Sequence, residues 1–379
     1  MNSSANGLRY YIKKRFGWCF DMDNQQTTET MNYAMHVTGS QSAKMPRPVY
    51  IRECASIVGQ KEGSGPLGEL FDMVGEDEMF GCKTWEEAES TLQKEAVSLV
   101  LGKAKEEKEN IHFLLAGDLL GQTIASSFGI KELDIPFFGL FGACSTSGEA
   151  LALAGMILGG GFAENVICVT SSHFGSAEKE FRFPMEYGGQ RPPCYTRTVT
   201  GSGAFLVSLK KGGHPYACIS GITVGKIVDM NMKDTFNMGC CMAPAAADVI
   251  EANFNDFQRL PKDYDKIITG DLGKVGQEAL FHLLEEKGYD ISQKHIDCGM
   301  EMFDPSQPGT ESGGSGCGCA ASVLSAYILP KLQKNEWNRV LFVPTGALLN
   351  KTSYNEGQPI LGIAHAIVLE SLESSGFFS

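Results

Sequence analysis

The sequence predicts an α/β protein built from two duplicated halves, and three observations carry that prediction. Leu114-Leu115-Ala116-Gly117-Asp118-Leu119 and Ile267-Ile268-Thr269-Gly270-Asp271-Leu272 are both apolar strands closing on Gly-Asp-Leu, each followed by a helical pattern. Gly142-Ala143-Cys144-Ser145 and Ser312-Gly313-Gly314-Ser315-Gly316-Cys317 are both small-residue turns that open small-residue helices. The copies lie about 150 residues apart, too far for a solenoid, and imply two α/β units packed through their helices about a pseudo-twofold axis. The chain has 379 residues, 43% of them hydrophobic and 20% charged, an ordinary globular composition long enough for two such units.

Residues 1–38 do not share this pattern and are expected to be a poorly ordered extension, or to precede a natural start at Met35. Within them, the basic and aromatic run Arg9 to Trp18 is the candidate for contact with a membrane surface. The first half is assigned to 39–230 and the second to 231–379. Pro48 to Ile57 reads as the first strand, followed by a loop dense in turn residues, Gly59 to Pro66. Thr84-Trp85-Glu86-Glu87 has capping-box spacing and should start an amphipathic helix running to about Glu107.

Phe137 to Gly155 reads as a buried strand turning sharply into a helix and presenting Cys144 in the turn. Ser145 or Thr146 is expected to cap that helix, whose free amides and dipole would favour a thiolate or a bound anion at Cys144. Asn165 to Ser172 suits a strand covered on both faces and ends at His173. Ligands of open α/β sheets sit beyond the carboxyl ends of strands, so Asp118, Cys144 and His173 are expected to share one pocket. Residues 174–200 form a long connection of the kind that covers a site or an interface. In the second half, the Gly313 to Cys317 turn is expected to aim backbone amides at the same cavity. Strands Arg339 to Thr345 and Ile363 to Glu370 close the chain, with His365 most simply a core histidine.

The net charge of −13 argues against nucleic acid or an anionic membrane as the main partner, since both need a basic face. Twelve cysteines occur without paired zinc-knuckle spacing, so they are expected to be reduced thiols in a cytoplasmic protein with no metal site. No run reaches the roughly 18 apolar residues of a membrane span.

These motifs resemble the thiolase superfamily, which includes the ketoacyl-acyl-carrier-protein synthases. Cys144 stands at that superfamily's nucleophile position, Gly201-Ser202-Gly203-Ala204 resembles the glycine-rich strand closing the first half, and Gly313 to Cys319 resembles the second-half turn. The resemblance implies a thiolase-like five-layered αβαβα fold. From Gly39 onward the chain is more similar to a non-enzymatic sporulation branch of spore-forming Firmicutes, through GPLGELFD, LAGDLL, LFGACSTS, TSSH, EYGGQ, TVTGSGA, MAPAAAD, TGDLG, GGSGC and TGALL.

That branch implies binding of dipicolinic acid for import into the developing forespore. It further implies no cofactor, peripheral attachment to the forespore membrane through stage V sporulation membrane proteins, and a homodimer. The alternative is an acyltransferase with Cys144 as nucleophile. Against it, the second-half glycine turn lacks the thiolase histidine, and Asp271 stands where the synthases use His or Asn. Without a base or cation a cysteine is not held as thiolate. The ligand-binding candidates are Asp118, Cys144, Ser145, His173, Gly313, Gly314, Ser315, Gly316 and Cys317. A flat dianion suits two facing helix N-termini. Asp118 would repel it, and so either binds through calcium, as a calcium–dipicolinate chelate would allow, or is structural.

Overall fold

A computed structural model describes residues 36–181 and 191–375. The expectations for the N-terminal extension therefore lie, but for its last three residues, outside the described residues, as does the middle of the 174–200 connection.

Each half contributes five strands to the main path of the sheet. The first half has β1 (Ser42–Val58), β2 (Phe113–Gly117), β3 (Phe137–Leu140), β4 (Asn165–Ser172) and β5 (Gly201–Ser208). The second has β6 (Ala217–Thr223), β7 (Lys266–Thr269), β8 (His295–Asp297), β9 (Arg339–Val343) and β10 (Ala366–Glu370). They run in the order β3-β2-β4-β5-β1-β6-β10-β9-β7-β8. Read outward from β1 or from β6, the two halves have the same order. The directions match too: β2 is parallel to β3 and β4, β7 is parallel to β8 and β9, and the remaining pairs are antiparallel. The repeat thus begins its second copy at β6, ahead of the expected boundary at 230/231. The turn between β5 and β6, Lys210-Lys211-Gly212-Gly213-His214-Pro215, is the sequence signal at that point.

Helices α1 (Trp85–Ala104) and α2 (Ile124–Ile130) cover one outer face. Leu92, Ala96 and Val97 of α1 pack on Leu114, Ile167, Val169 and Leu206. Thr84 Oγ1 accepts the Glu87 amide as the capping spacing predicts, but Glu87 reaches back to the Lys83 amide instead of that of Thr84. The central layer holds α3 (Thr146–Gly159) and, four helices later, the start of α7 (Cys317–Val323). Between them in the chain come α4 (Phe174–Phe181) and the other outer layer, α5 (Met238–Phe257) and α6 (Gly273–Glu285). Leu151, Ala154 and Leu158 of α3 and Cys319, Ala320 and Ala321 of α7 share one core with Val166, Cys168, Ile219, Phe342 and Leu369 from both sheets. Each buried Leu or Phe contributes about 1.5–3 kcal/mol. Strand β4 sends Val166 and Cys168 inward and Ile167 and Val169 outward, which is why it reads as continuously apolar.

The glycine motifs set how close the central helix lies. A Cβ on Gly318 would fall 2.3 Å from the Gly201 carbonyl oxygen, and one on Gly203 would fall 2.6 Å from the Ala321 carbonyl carbon. Only glycine permits this approach of α7 to β5. Strand β3 departs from expectation. It lies at the sheet edge, with Phe137 and Phe138 exposed, so it is not a buried strand. No helix among the described residues is long and apolar enough to cross a membrane.

Candidate functional site

The turn after β3 is held by its own side chains. Ser145 Oγ donates to the Gly142 carbonyl at 2.6 Å, and Thr146 Oγ1 donates to the Ala143 carbonyl at 2.6 Å while accepting the Gly142 amide at 3.0 Å. Neither residue caps α3, contrary to expectation, because both hydroxyls face back into the turn. Ala143 takes a left-handed φ of 50°, uncommon for alanine, and this kink sets Cys144 on the floor of a hollow.

Across the floor stands Asp271, at the carboxyl end of β7 and fully buried. Its carboxylate accepts the Gly316 amide at 2.8 Å, Ser315 Oγ at 3.0 Å, Thr345 Oγ1 at 2.8 Å and the Cys144 thiol. Burial pushes the Cys144 thiol well above its usual range, and the Asp271 carboxylate adds to the shift. This environment disfavours the expected thiolate: desolvation and a neighbouring anion work against the α3 amides. Asp271 is the residue that sequence reasoning missed as part of the site. Its signal was available as the second Gly-Asp-Leu.

The hollow has a volume of about 20 Å³, close to the room needed by one water. Cys144 and Ser315 line it, together with Leu119, Thr198, Met238 and Ala347, and the half-buried Phe181 of α4 closes it. The two glycine-bearing turns thus meet at one place. Cys317 packs beside Cys144 and Leu119, with its thiol donating to the Ser171 carbonyl.

The rest of the candidate set does not line the hollow. Asp118 accepts the Leu120 amide, the Ser126 amide and Ser126 Oγ at 2.6–2.8 Å, so its carboxylate is consumed holding the loop that carries Leu119. This is the structural alternative for Asp118. His173 donates from Nε2 to the Glu78 carbonyl at 2.8 Å and accepts the Gly175 amide at Nδ1 at 3.0 Å. Burial lowers its pKa. With both nitrogens committed, His173 cannot serve Cys144 as a base. Gly313 donates to Thr310, and the carbonyls of Gly313 and Ser315 accept from Arg197 and Val199, because Gly314–Ser315 pairs as a short strand with Arg197–Thr198. Of the amides expected to aim into the cavity, that of Gly313 is spent on Thr310 and that of Gly316 on Asp271. His365 lies between two strands, accepts the Gly225 amide at Nδ1, and has its pKa pushed down to about 4 by burial. Among the described residues no cluster of three His, Cys, Asp or Glu side chains could hold a metal ion.

Similarity to known proteins follows the same lines. The chain resembles three thiolase-fold enzymes over most of their length. They are the human mitochondrial 3-ketoacyl-CoA thiolase (TM-score 0.53, 12% identity, 86% of this chain and 100% of that one), cerulenin-bound OleA of Xanthomonas campestris (0.55, 13%, 86% and 99%) and 3-oxoacyl-[acyl-carrier-protein] synthase III of Aquifex aeolicus VF5 (0.51, 11%, 85% and 99%). At these identities the likeness shows the fold, a thiolase-like five-layered αβαβα arrangement. The stage V sporulation protein AD of Bacillus subtilis (strain 168) is 44% identical over 336 residues, covering 89% of this chain and 98% of that protein. The family model for stage V sporulation protein AD matches residues 39–370, and the chain belongs to that family, with a role in sporulation.

Proposed function

We propose that this protein binds dipicolinic acid and takes part in its transport into the developing forespore without catalysing a reaction. In this reading it works from the cytoplasmic side, attached to the forespore inner membrane through other stage V sporulation membrane proteins. Membership of the sporulation family supports the role. One observation carries the non-catalytic part: the Cys144 thiol donates to a buried carboxylate where a nucleophile needs a base or a cation.

The binding place proposed is the Cys144 hollow. Because the hollow has room for only a water-sized body, a diacid would enter as Phe181 swings outward. Calorimetry with millimolar dipicolinate is expected to give saturable binding. Ala347→Phe, which fills the hollow, should weaken it at least tenfold, and Phe181→Ala should strengthen it. Absence of heat from the unaltered protein, or indifference to both substitutions, overturns the proposal. Incubation with an acyl-CoA should leave the intact mass unchanged; an adduct on Cys144 would favour acyl transfer.

The proposal extends to a homodimer through β3. Its unpaired edge carries Phe137, Phe138 and the adjoining Phe141, each 38–49% exposed, an apolar edge that a second copy would cover. Phe138→Lys is expected to yield monomers in sedimentation velocity. A dimer that survives it at micromolar concentration would place the contact elsewhere.

A further inference from the structure

The seam between the two sheets opens into a cleft of about 830 Å³, and its origin is local. Strand β1 pairs with β6 at Ser42–Lys44 and again at Val49–Ile51, but lets go between Lys44 and Val49. The skipped residues include Pro46 and Pro48, which have no amide hydrogen to give to a ladder. On the other side of β6, β10 shifts register between Val368 and Leu369. Both irregularities fall opposite Ser220, so both neighbours of β6 miss pairing at the same residue.

The cleft is lined by Lys44, Ser220, Arg259 and Arg339, with Glu370 and Asp256 as its acids. Asp256 is already occupied, accepting the Ser40 and Gln41 amides and Ser42 Oγ. Glu370 is 3% exposed and takes Arg339 Nε at 2.6 Å, with Arg259 at 3.7 Å, so one buried carboxylate faces two guanidiniums. Arg259 also sits over an aromatic ring, its guanidinium carbon 5.2 Å from the Phe257 ring centre. Lys44 is exposed and has no acidic partner among the described residues. Ser220 is 8% exposed, and its hydroxyl has no hydrogen-bond partner among the described residues.

We infer that this seam cleft binds a small anion bearing carboxylate or phosphate groups, at a site separate from the Cys144 hollow. Three cations face two acids that are already engaged, leaving positive charge and guanidinium N–H groups for an oxyanion, the group that arginine forks recognise best. The volume lies within the range of small-molecule sites. This inference does not depend on the dipicolinate proposal.

The test is calorimetric titration of the full chain at low ionic strength, once with inorganic phosphate and once with citrate, against chloride at matched ionic strength. Saturable binding of one equivalent of either anion is expected. Citrate alone would indicate a carboxylate ligand, and phosphate alone a phosphorylated one. Lys44→Glu, at an exposed position that no core contact depends on, should weaken binding at least tenfold, and Ser220→Ala several-fold. No binding of either anion, or binding that Lys44→Glu leaves unchanged, overturns the inference.

Discussion

Asp271→Ala is expected to lower stability by about 3–5 kcal/mol, among the largest losses available to a single side chain in this fold. The carboxylate accepts the Gly316 amide and joins Ser315, Thr345 and Cys144 at one point. Removing it leaves a buried amide and buried hydroxyls without partners, in a place that water does not reach. Each such group costs about 1–3 kcal/mol, partly recovered where a hydroxyl can turn elsewhere. Thermal unfolding should therefore shift down by roughly 4–7 °C. The loss should also be structural in a particular way, because Asp271 ties the second-half turn to the cysteine turn of the first half. A shift under about 2 °C would show that the turns are held together by something else.

The sequence made this arrangement half legible. The two Gly-Asp-Leu closures identified the repeat, and the strand order now seen in each half is the same order twice. Yet the same motif hid two fates. Asp118 turns to donors two and eight residues along its own loop, whereas Asp271 gathers partners 44, 45 and 74 residues away in the chain. Local pattern cannot distinguish these, since both are acids after a strand. His173 was misplaced for a similar reason: its partners are a backbone carbonyl 95 residues earlier and an amide two residues later, and backbone groups leave no mark in a motif. Strand β3 looked buried because Phe137 and Phe138 are aromatic. Edge position is set by which strands pair, and an apolar edge reads like an apolar core.

Glu89→Gln is expected to flatten the fall in stability that the unaltered protein should undergo as pH rises from about 4.5 to 8. Glu89 lies on the buried face of α1, accepting Ser171 Oγ at 3.0 Å and Ser176 Oγ at 2.6 Å. Burial is the main reason that its pKa is pushed up to about 8, and the Asp118 carboxylate reinforces the shift. Across that window the folded chain keeps the proton and the unfolded chain releases it, so each step upward in pH favours unfolding. Below about 4.5 the penalty vanishes, because both states are protonated. The full shift corresponds to at most about 5 kcal/mol. Asp297, pushed up to about 6, and Glu62, pushed up to about 7, act in the same direction and will leave a residual slope in the variant. Gln93 links the acid to the site: its Nε2 lies within 3.0 Å of Ser171 Oγ, Ser126 Oγ and the Gly117 carbonyl, and Ser126 in turn holds Asp118 beneath the loop carrying Leu119. Glutamine keeps an acceptor for the serine hydroxyls without a proton to lose, so denaturant midpoints measured at pH 5 and pH 8 should lie closer together in the variant than in the unaltered protein. Midpoints that separate as widely as in the unaltered protein would mean that Glu89 is ionised in the fold at both pH values, and the proposed proton on this network would have to be abandoned.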